Sequence, residues 1–364
     1  MEMTPYQPIF EFTRGGTVES IHHGAIAVMD VSGNLLSSFG DPQAVAYLRS
    51  TAKPFQALPF FTNRGPEEFD LSLAERAIIC ASHSGTDAHV ETIRSIQRKA
   101  GIDESQLLCG VHKPFHEPTA ERMHHNQEAI TANRHNCSGK HSGMLAYVRL
   151  MEQNGRQMPL DLPYIDPVHP IQEEILHVFA KFCNLPVEEV ALGIDGCSAP
   201  IFAVPLASAA LAYARICAAE EWNDLSDDEA HACRAITEAM MSSPEMVAGP
   251  GRFDTRLMEL TKGRLISKGG AEGYQGIGLL PGAMGPGSPA VGITLKIADG
   301  DDRGLVRTAV TLEVLRQLGA LSPSELATLQ DFGPAYTVEN WCKISVGHGY
   351  PSFKLTQPEL LTLR

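Results

Sequence analysis

The stretch Arg49-Ser50-Thr51-Ala52-Lys53 sets a serine three residues ahead of a lysine, and Asn136-Cys137-Ser138-Gly139-Lys140-His141-Ser142-Gly143 sets another two residues ahead of one. A serine hydroxyl is a weak nucleophile until a neighbouring base takes its proton. Lysine is such a base only when neutral, a form that burial and nearby positive charge favour. On a helix, Ser50 and Lys53 lie one turn apart on the same face. Pro54, Phe55, Leu58 and Pro59 make the following segment apolar, so residues 53–61 are expected to form a buried helix, with Pro54 tolerated in its first turn. The pair points to a nucleophile that needs no histidine.

The chain of 364 residues is long enough for one large domain or two modest ones. With 43% hydrophobic and 20% charged residues it has a globular composition, not a disordered one. A formal charge of −14 argues against nucleic acid as a partner, because phosphate binding rests on clustered Lys and Arg. Residues 1–16 carry no basic segment followed by an apolar run, so no signal peptide is expected. The most apolar region, residues 199–219, is interrupted by Pro200, Pro205 and Arg215. It reads as a loop or strand leading into a buried helix, not as a membrane span. A cytoplasmic protein is expected. Its eight cysteines contain no C-x-x-C pair and should be mostly free thiols, with one or two available for metal or catalytic use.

Residues 9–13, 24–30 and 35–39 read as strands, with a hairpin turn at Val31-Ser32-Gly33-Asn34. Residues 77–80 form an apolar run taken as a strand that ends at Ala81-Ser82-His83-Ser84-Gly85. Thr86 caps a helix to about Ala100, with Val90, Ile93, Ile96 and Gln97 at helical spacing. Further helices are expected over 142–153, 171–182, 206–218, 227–241, 255–261 and 303–319. Strands are expected over 190–194, 265–268, 276–280 and 290–297. The glycine-rich stretch 280–292 lacks the G-x-x-x-x-G-K-[ST] pattern and is no phosphate cradle. Strands at both ends with helices between them suggest a sheet built from distant parts of the chain and covered by helices. No repeat, linker or internal boundary is visible, so residues 1–364 read as a single domain.

Six blocks follow one another: R-S-T-A-K-P-F-Q, C-A-S-H-S-G, C-G-V-H, N-C-S-G-K-H-S-G, D-G-C-S-A-P and K-G-G-A-E-G. Together they resemble the L-asparaginase II family of the rhizobial, serine–lysine type. The resemblance runs from about Gly24 to Ile297, and six blocks in order are far more specific than any one. It implies an α/β (α+β) fold like that of the serine β-lactamases, penicillin-binding proteins and glutaminases: a mainly antiparallel sheet covered by helices, with a helical portion. The S-x-x-K spacing is shared with those β-lactamases and penicillin-binding proteins.

The resemblance implies hydrolysis of L-asparagine to L-aspartate and ammonia by a homodimer. It implies two catalytic pairs, Ser50 with Lys53 and Ser82 with Lys268, and a zinc site at Cys137, Lys140 and Cys197. Lys268 ends a β-branched stretch before two glycines, where backbone can approach a ligand closely. Zinc held by two thiolates and an amine leaves a fourth position for water, and the lysine must bind neutral. An amino-acid substrate needs both its charges met in a desolvated pocket. Arg49 suits the α-carboxylate and Asp195 the α-ammonium. His141 and His83 are candidate hydrogen-bond donors to the substrate.

The expected reaction is attack of Ser50 on the side-chain amide with help from Lys53, loss of ammonia, and hydrolysis of the acyl-enzyme. Ser82 with Lys268 is left open as nucleophile or proton relay. Two rivals remain: a penicillin-recognising serine hydrolase, and a non-catalytic metal- or amino-acid-binding protein. The first normally needs an export signal; the second binds asparagine without releasing ammonia.

Overall fold

The segment TVESIHHGAIAVMD decides the main sheet. Strand Thr17–Asp30 is exposed over its first half and buried continuously from Gly24 to Met29. A strand buried at consecutive residues must be covered on both faces. The computed structural model describes residues 4–356. Among them the sheet runs in the order Tyr336–Glu339, Ser345–Pro351, Gln7–Arg14, Thr17–Asp30, Val291–Ile297, Tyr274–Leu279 and Leu265–Gly269, with Leu35–Phe39 also paired to Thr17–Asp30. Gln7–Arg14 pairs antiparallel with Ser345–Pro351 and Thr17–Asp30, and Val291–Ile297 with Thr17–Asp30 and Tyr274–Leu279, with Ile26 opposite Leu295 and Phe10 opposite Pro351. The expected sheet of distant parts is present, and the hairpin at Val31–Asn34 closes with the Asp30 N–H on the Asn34 carbonyl.

Two compact units divide the chain, each discontinuous in sequence. The sheet unit comprises residues 4–48, Val204–Ala218 and 267–356. Helices Leu206–Ile216 and Leu305–Gln317 pack on its sheet. The first is alanine-rich and approaches very closely: a Cβ built on Gly292 would lie 1.8 Å from the Ala210 carbonyl oxygen. Because neither unit is one continuous stretch, no cut in the sequence could announce it.

The helical unit comprises Arg49–Ala203 and Ala219–Ile266. At its centre lies the helix Lys53–Thr62, buried from Lys53 to Phe61 as its apolar sequence predicts. Helices Asp227–Ser242, Pro170–Cys183 and Ser138–Gln153 pack against it. Residues 77–80 are not a strand. They finish the helix Leu73–Ile79, which starts at a capping box in which the Ser72 hydroxyl takes the Glu75 N–H and the Glu75 carboxylate takes the Ser72 N–H. The helix expected over 142–153 begins at Ser138. Its Gly139 and Gly143, one turn apart, let it approach Leu73–Ile79: Cβ atoms there would lie 2.1 Å from the Ile78 carbonyl oxygen and 2.6 Å from an Ile79 methyl. Strands Ala191–Ile194 and Pro200–Pro205 form an antiparallel pair around Asp195-Gly196-Cys197-Ser198.

Candidate active site

Ser50 and Lys53 do not share one regular helix. Arg49–Ala52 is a 3-10 turn and the α-helix starts at Lys53. Arg49 has φ 52°, a left-handed conformation that costs a non-glycine residue about 1–2 kcal/mol. Such strain gathers where surrounding structure holds a functional backbone in place. It directly precedes Ser50, which is half-buried. Ser198, with φ 69°, repeats this strain beside Cys197.

Lys53 is 1% exposed. Its Nζ donates to the Ala81 carbonyl at 2.5 Å and the Asn136 carbonyl at 3.4 Å, and lies 2.9 Å from the Ser82 hydroxyl. None of these bonds goes to Ser50. The two carbonyls can only accept, so they take two N–H bonds. The third position on nitrogen faces Ser82, either as an N–H or, in the neutral amine, as a lone pair able to receive the Ser82 proton.

Asp195 lies beside this turn, its Oδ1 2.9 Å from Arg49 Nε. Burial pulls the Asp195 carboxyl up, but Lys140, Arg49 and the Gly196 N–H outweigh it and hold the group below its ordinary range. The receptor proposed for an amino acid's two charges is thus an ion pair with itself when nothing is bound.

Cys137, Lys140 and Cys197, the set that the resemblance implies, lie near one another. Lys140 Nζ lies 3.1 Å from Cys197 Sγ, and all three residues are buried. The two sulfurs share a hydrogen bond. That bond takes Cys137 well below the thiol range, against burial and with help from Lys53 and Lys140. The same bond, with burial, raises Cys197. Burial pulls the Lys140 ammonium down, but Cys197, Cys137 and Asp195 reverse this and raise it. Cys109 is pushed up to about 12 by burial and by the two neighbouring sulfurs.

Among the described residues, no group of three or more His, Cys, Asp and Glu is set to hold a metal. Zinc at this place therefore depends on Lys140 giving up its proton. Two soft sulfurs and an amine are donor types that zinc accepts once the lysine is neutral. His141 Nδ1 meets the Tyr164 hydroxyl at 2.7 Å, and burial lowers its pKa to about 4.

His83 is wholly buried and uses both ring nitrogens inside the chain. Nδ1 accepts from the Gly85 N–H at 3.1 Å, so Nε2 carries the proton and faces the Ser138 hydroxyl at 3.0 Å. Burial first, then His89 and Lys53, hold it well below the usual imidazole range. His135 accepts the Cys137 N–H at Nδ1, and burial with His112 lowers it to about 4. These neutral rings brace the loop around Lys53.

Lys268 belongs to the sheet unit, on the strand Leu265–Gly269. It is buried, and its Nζ donates to the Gly269 carbonyl at 2.8 Å. From sequence, His112 and His135 are set aside as metal-pair candidates, and neither they nor Asn136 is given a role in the site. The C-G-V-H block contained the first, and the second and third stand directly before Cys137.

The L-asparaginase II family matches residues 10–350, and the chain belongs to that family. The family makes the protein an amidohydrolase. No curated protein matches the chain. Similar solved structures include a Bacillus subtilis glutaminase in covalent complex with 5-oxo-L-norleucine, at 14% identity over 82% of this chain and 89% of that one, with a TM-score of 0.38. A Bacillus glutaminase crystallised at high salt shares 12% identity over 81% of this chain and 90% of that one, with a TM-score of 0.36. These likenesses are distant. Among the described residues no helix is long and apolar enough to cross a membrane.

Proposed function

We propose that the protein hydrolyses the side-chain amide of L-asparagine to L-aspartate and ammonia through a serine acyl-enzyme. The observation that carries this reading is the buried Lys53 amine, tied to two carbonyls with its third position on the Ser82 hydroxyl at 2.9 Å. Ser50 attacks the amide carbon from the strained turn. Its proton passes by way of Ser82 to Lys53. The carboxamide nitrogen is protonated and leaves as ammonia, and water then resolves the ester by the same route in reverse. Arg49 and Asp195 exchange their mutual ion pair for the substrate's α-carboxylate and α-ammonium, which suits a free amino acid better than a peptide.

The 2.9 Å contact favours one variant of this reading, in which Ser82 is itself the nucleophile and Lys53 its direct base. The part taken by Lys268 rests on its sequence motif and is tested by Lys268→Met. Zinc at Cys137, Lys140 and Cys197 would supply a Lewis acid near the amide and need not be required for turnover. Elemental analysis of protein purified without chelator, with activity measured in chelator, tests both parts. The homodimer is checked by sedimentation of the purified chain, and the cytoplasmic location by fractionating the source cells.

The deciding experiment is ammonia release from L-asparagine and L-glutamine side by side, by wild type, Ser50→Ala and Ser82→Ala. The proposal expects wild type to prefer asparagine and Ser50→Ala to be inactive. Asparagine binding without ammonia release would return the protein to the non-catalytic reading. Hydrolysis of a chromogenic cephalosporin in place of asparagine would favour the penicillin-recognising one.

A further inference from the structure

We propose that His112 is a positioning residue of the reaction, holding the Asn136 peptide so that its carbonyl meets Lys53. The inference rests on the reading that Lys53 is the base. His112 lies in the C-G-V-H block, to which the mechanism assigns no part. Its Nδ1 is 2.6 Å from the Lys113 carbonyl oxygen, which can only accept, so Nδ1 carries the proton. Nε2 is then an acceptor, and it takes the Asn136 N–H at 3.0 Å. Asn136 Oδ1 is placed 3.2 Å from the same nitrogen; with Nε2 an acceptor, the side-chain amide is assigned with its O and NH2 exchanged.

The ring itself is fixed. It stacks on Phe115 with centroids 4.6 Å apart and packs against His135 at 4.3 Å. Asn136 is therefore gripped on both sides of its own residue: its N–H by His112 and its C=O by the Lys53 amine at 3.4 Å. The next N–H, of Cys137, ends on His135. A buried amine with only three positions is aimed by its acceptors. If the Asn136 carbonyl drifts, the direction of the third position, towards Ser82, drifts with it. A displacement on the order of 1 Å in a catalytic group can cost roughly 10²-fold in rate.

The test compares wild type, His112→Ala and His112→Gln. Glutamine can place an acceptor where Nε2 stood; alanine cannot. Three quantities are read: kcat and KM for asparagine, metal content, and amide hydrogen exchange at Asn136 by NMR. The expected result for His112→Ala is a kcat lower by roughly 10–100-fold with KM changed by less than about threefold, because the contact acts on the base and not on substrate binding. Its Asn136 amide exchanges faster, its metal content stays that of wild type, and His112→Gln regains most of both kcat and protection. Unchanged kcat beside faster exchange would overturn the proposal, as would a loss of metal in step with kcat, or alanine and glutamine variants that behave alike. If wild type releases ammonia from neither amide, the functional reading falls. In that case the exchange at Asn136 still decides separately whether His112 holds the peptide.

Discussion

The sheet unit and the helical unit use burial for opposite ends. At the centre of the sheet Ile26 lies opposite Leu295 and Val28 opposite Ile293, hydrocarbon paired with hydrocarbon. The centre of the helical unit holds Lys53, Lys140, His83, His135, His141, Asp195 and two cysteines within one web of hydrogen bonds and charge. Burying charge is costly unless each group is paired. Keeping this many ionisable and polar side chains from water is what a catalytic site demands, and the proposed function puts the chemistry there. Variants at the apolar pairs of the sheet should therefore lose stability, whereas variants in the web, and at Lys268 of the sheet unit, should lose turnover.

The largest effect is expected at the base. Lys53→Met and Ser50→Ala should each lower kcat by a factor on the order of 10³ or more, and the double variant little further, because the groups act as a unit. Steady-state ammonia assays check this.

Lys140→Met should come next, and it sharpens the contrast because it strikes stability from within the web. It removes the buried cation that faces Cys197, Cys137 and Asp195, leaving Lys53 beside Cys137 and Arg49 beside Asp195. Removing one partner of a buried pair costs about 3–5 kcal/mol, readable by urea unfolding of metal-free protein. The same variant should fail to bind zinc.

Gly292→Ala is the counterpart in the sheet unit. Its new methyl would sit on the Ala210 carbonyl oxygen. Overpacking of this kind costs about 1–3 kcal/mol or more. Thermal unfolding should shift down while kcat per folded molecule stays unchanged; a fall in kcat would break the division of labour.

Asp195→Asn should give the smallest change in stability and carries a pH signature. The Asp195 pKa is depressed in the folded state, so its ion pair stabilises above the unfolded carboxylate value of about 3.9 and the benefit is lost as pH falls through the folded value. At neutral pH the variant should be less stable by about 1–3 kcal/mol, and the gap should close in acid. KM for asparagine should rise more than kcat falls.

Much of this was written in the sequence where local chemistry decides. The capped helix from Thr86, the buried helix after Lys53 and the sheet of distant strands follow from spacing and apolar runs. The run at residues 77–80 was misread because four apolar residues suit a strand or a helix end equally, and the Ser72–Glu75 capping box that decides the matter lies upstream. The hairpin of Tyr336–Glu339 and Ser345–Pro351 is not legible because its residues are largely exposed and the alternation of its first strand spans only four residues. In the site, Lys53, Asp195, Lys140 and both cysteines were visible as side chains. What aims Lys53 was not, since two of its partners are the backbone carbonyls of Ala81 and Asn136, and a carbonyl has no letter of its own.

The most direct test is to find where the acyl group sits. Wild type is quenched in acid during turnover of L-asparagine, digested, and searched by mass spectrometry for a peptide carrying one added aspartyl group. The adduct is expected on Ser50, absent from Ser50→Ala, and formed far more slowly in Lys53→Met. An adduct on Ser82, or turnover by Ser50→Ala at the wild-type rate, would contradict the assignment of Ser50 as the nucleophile.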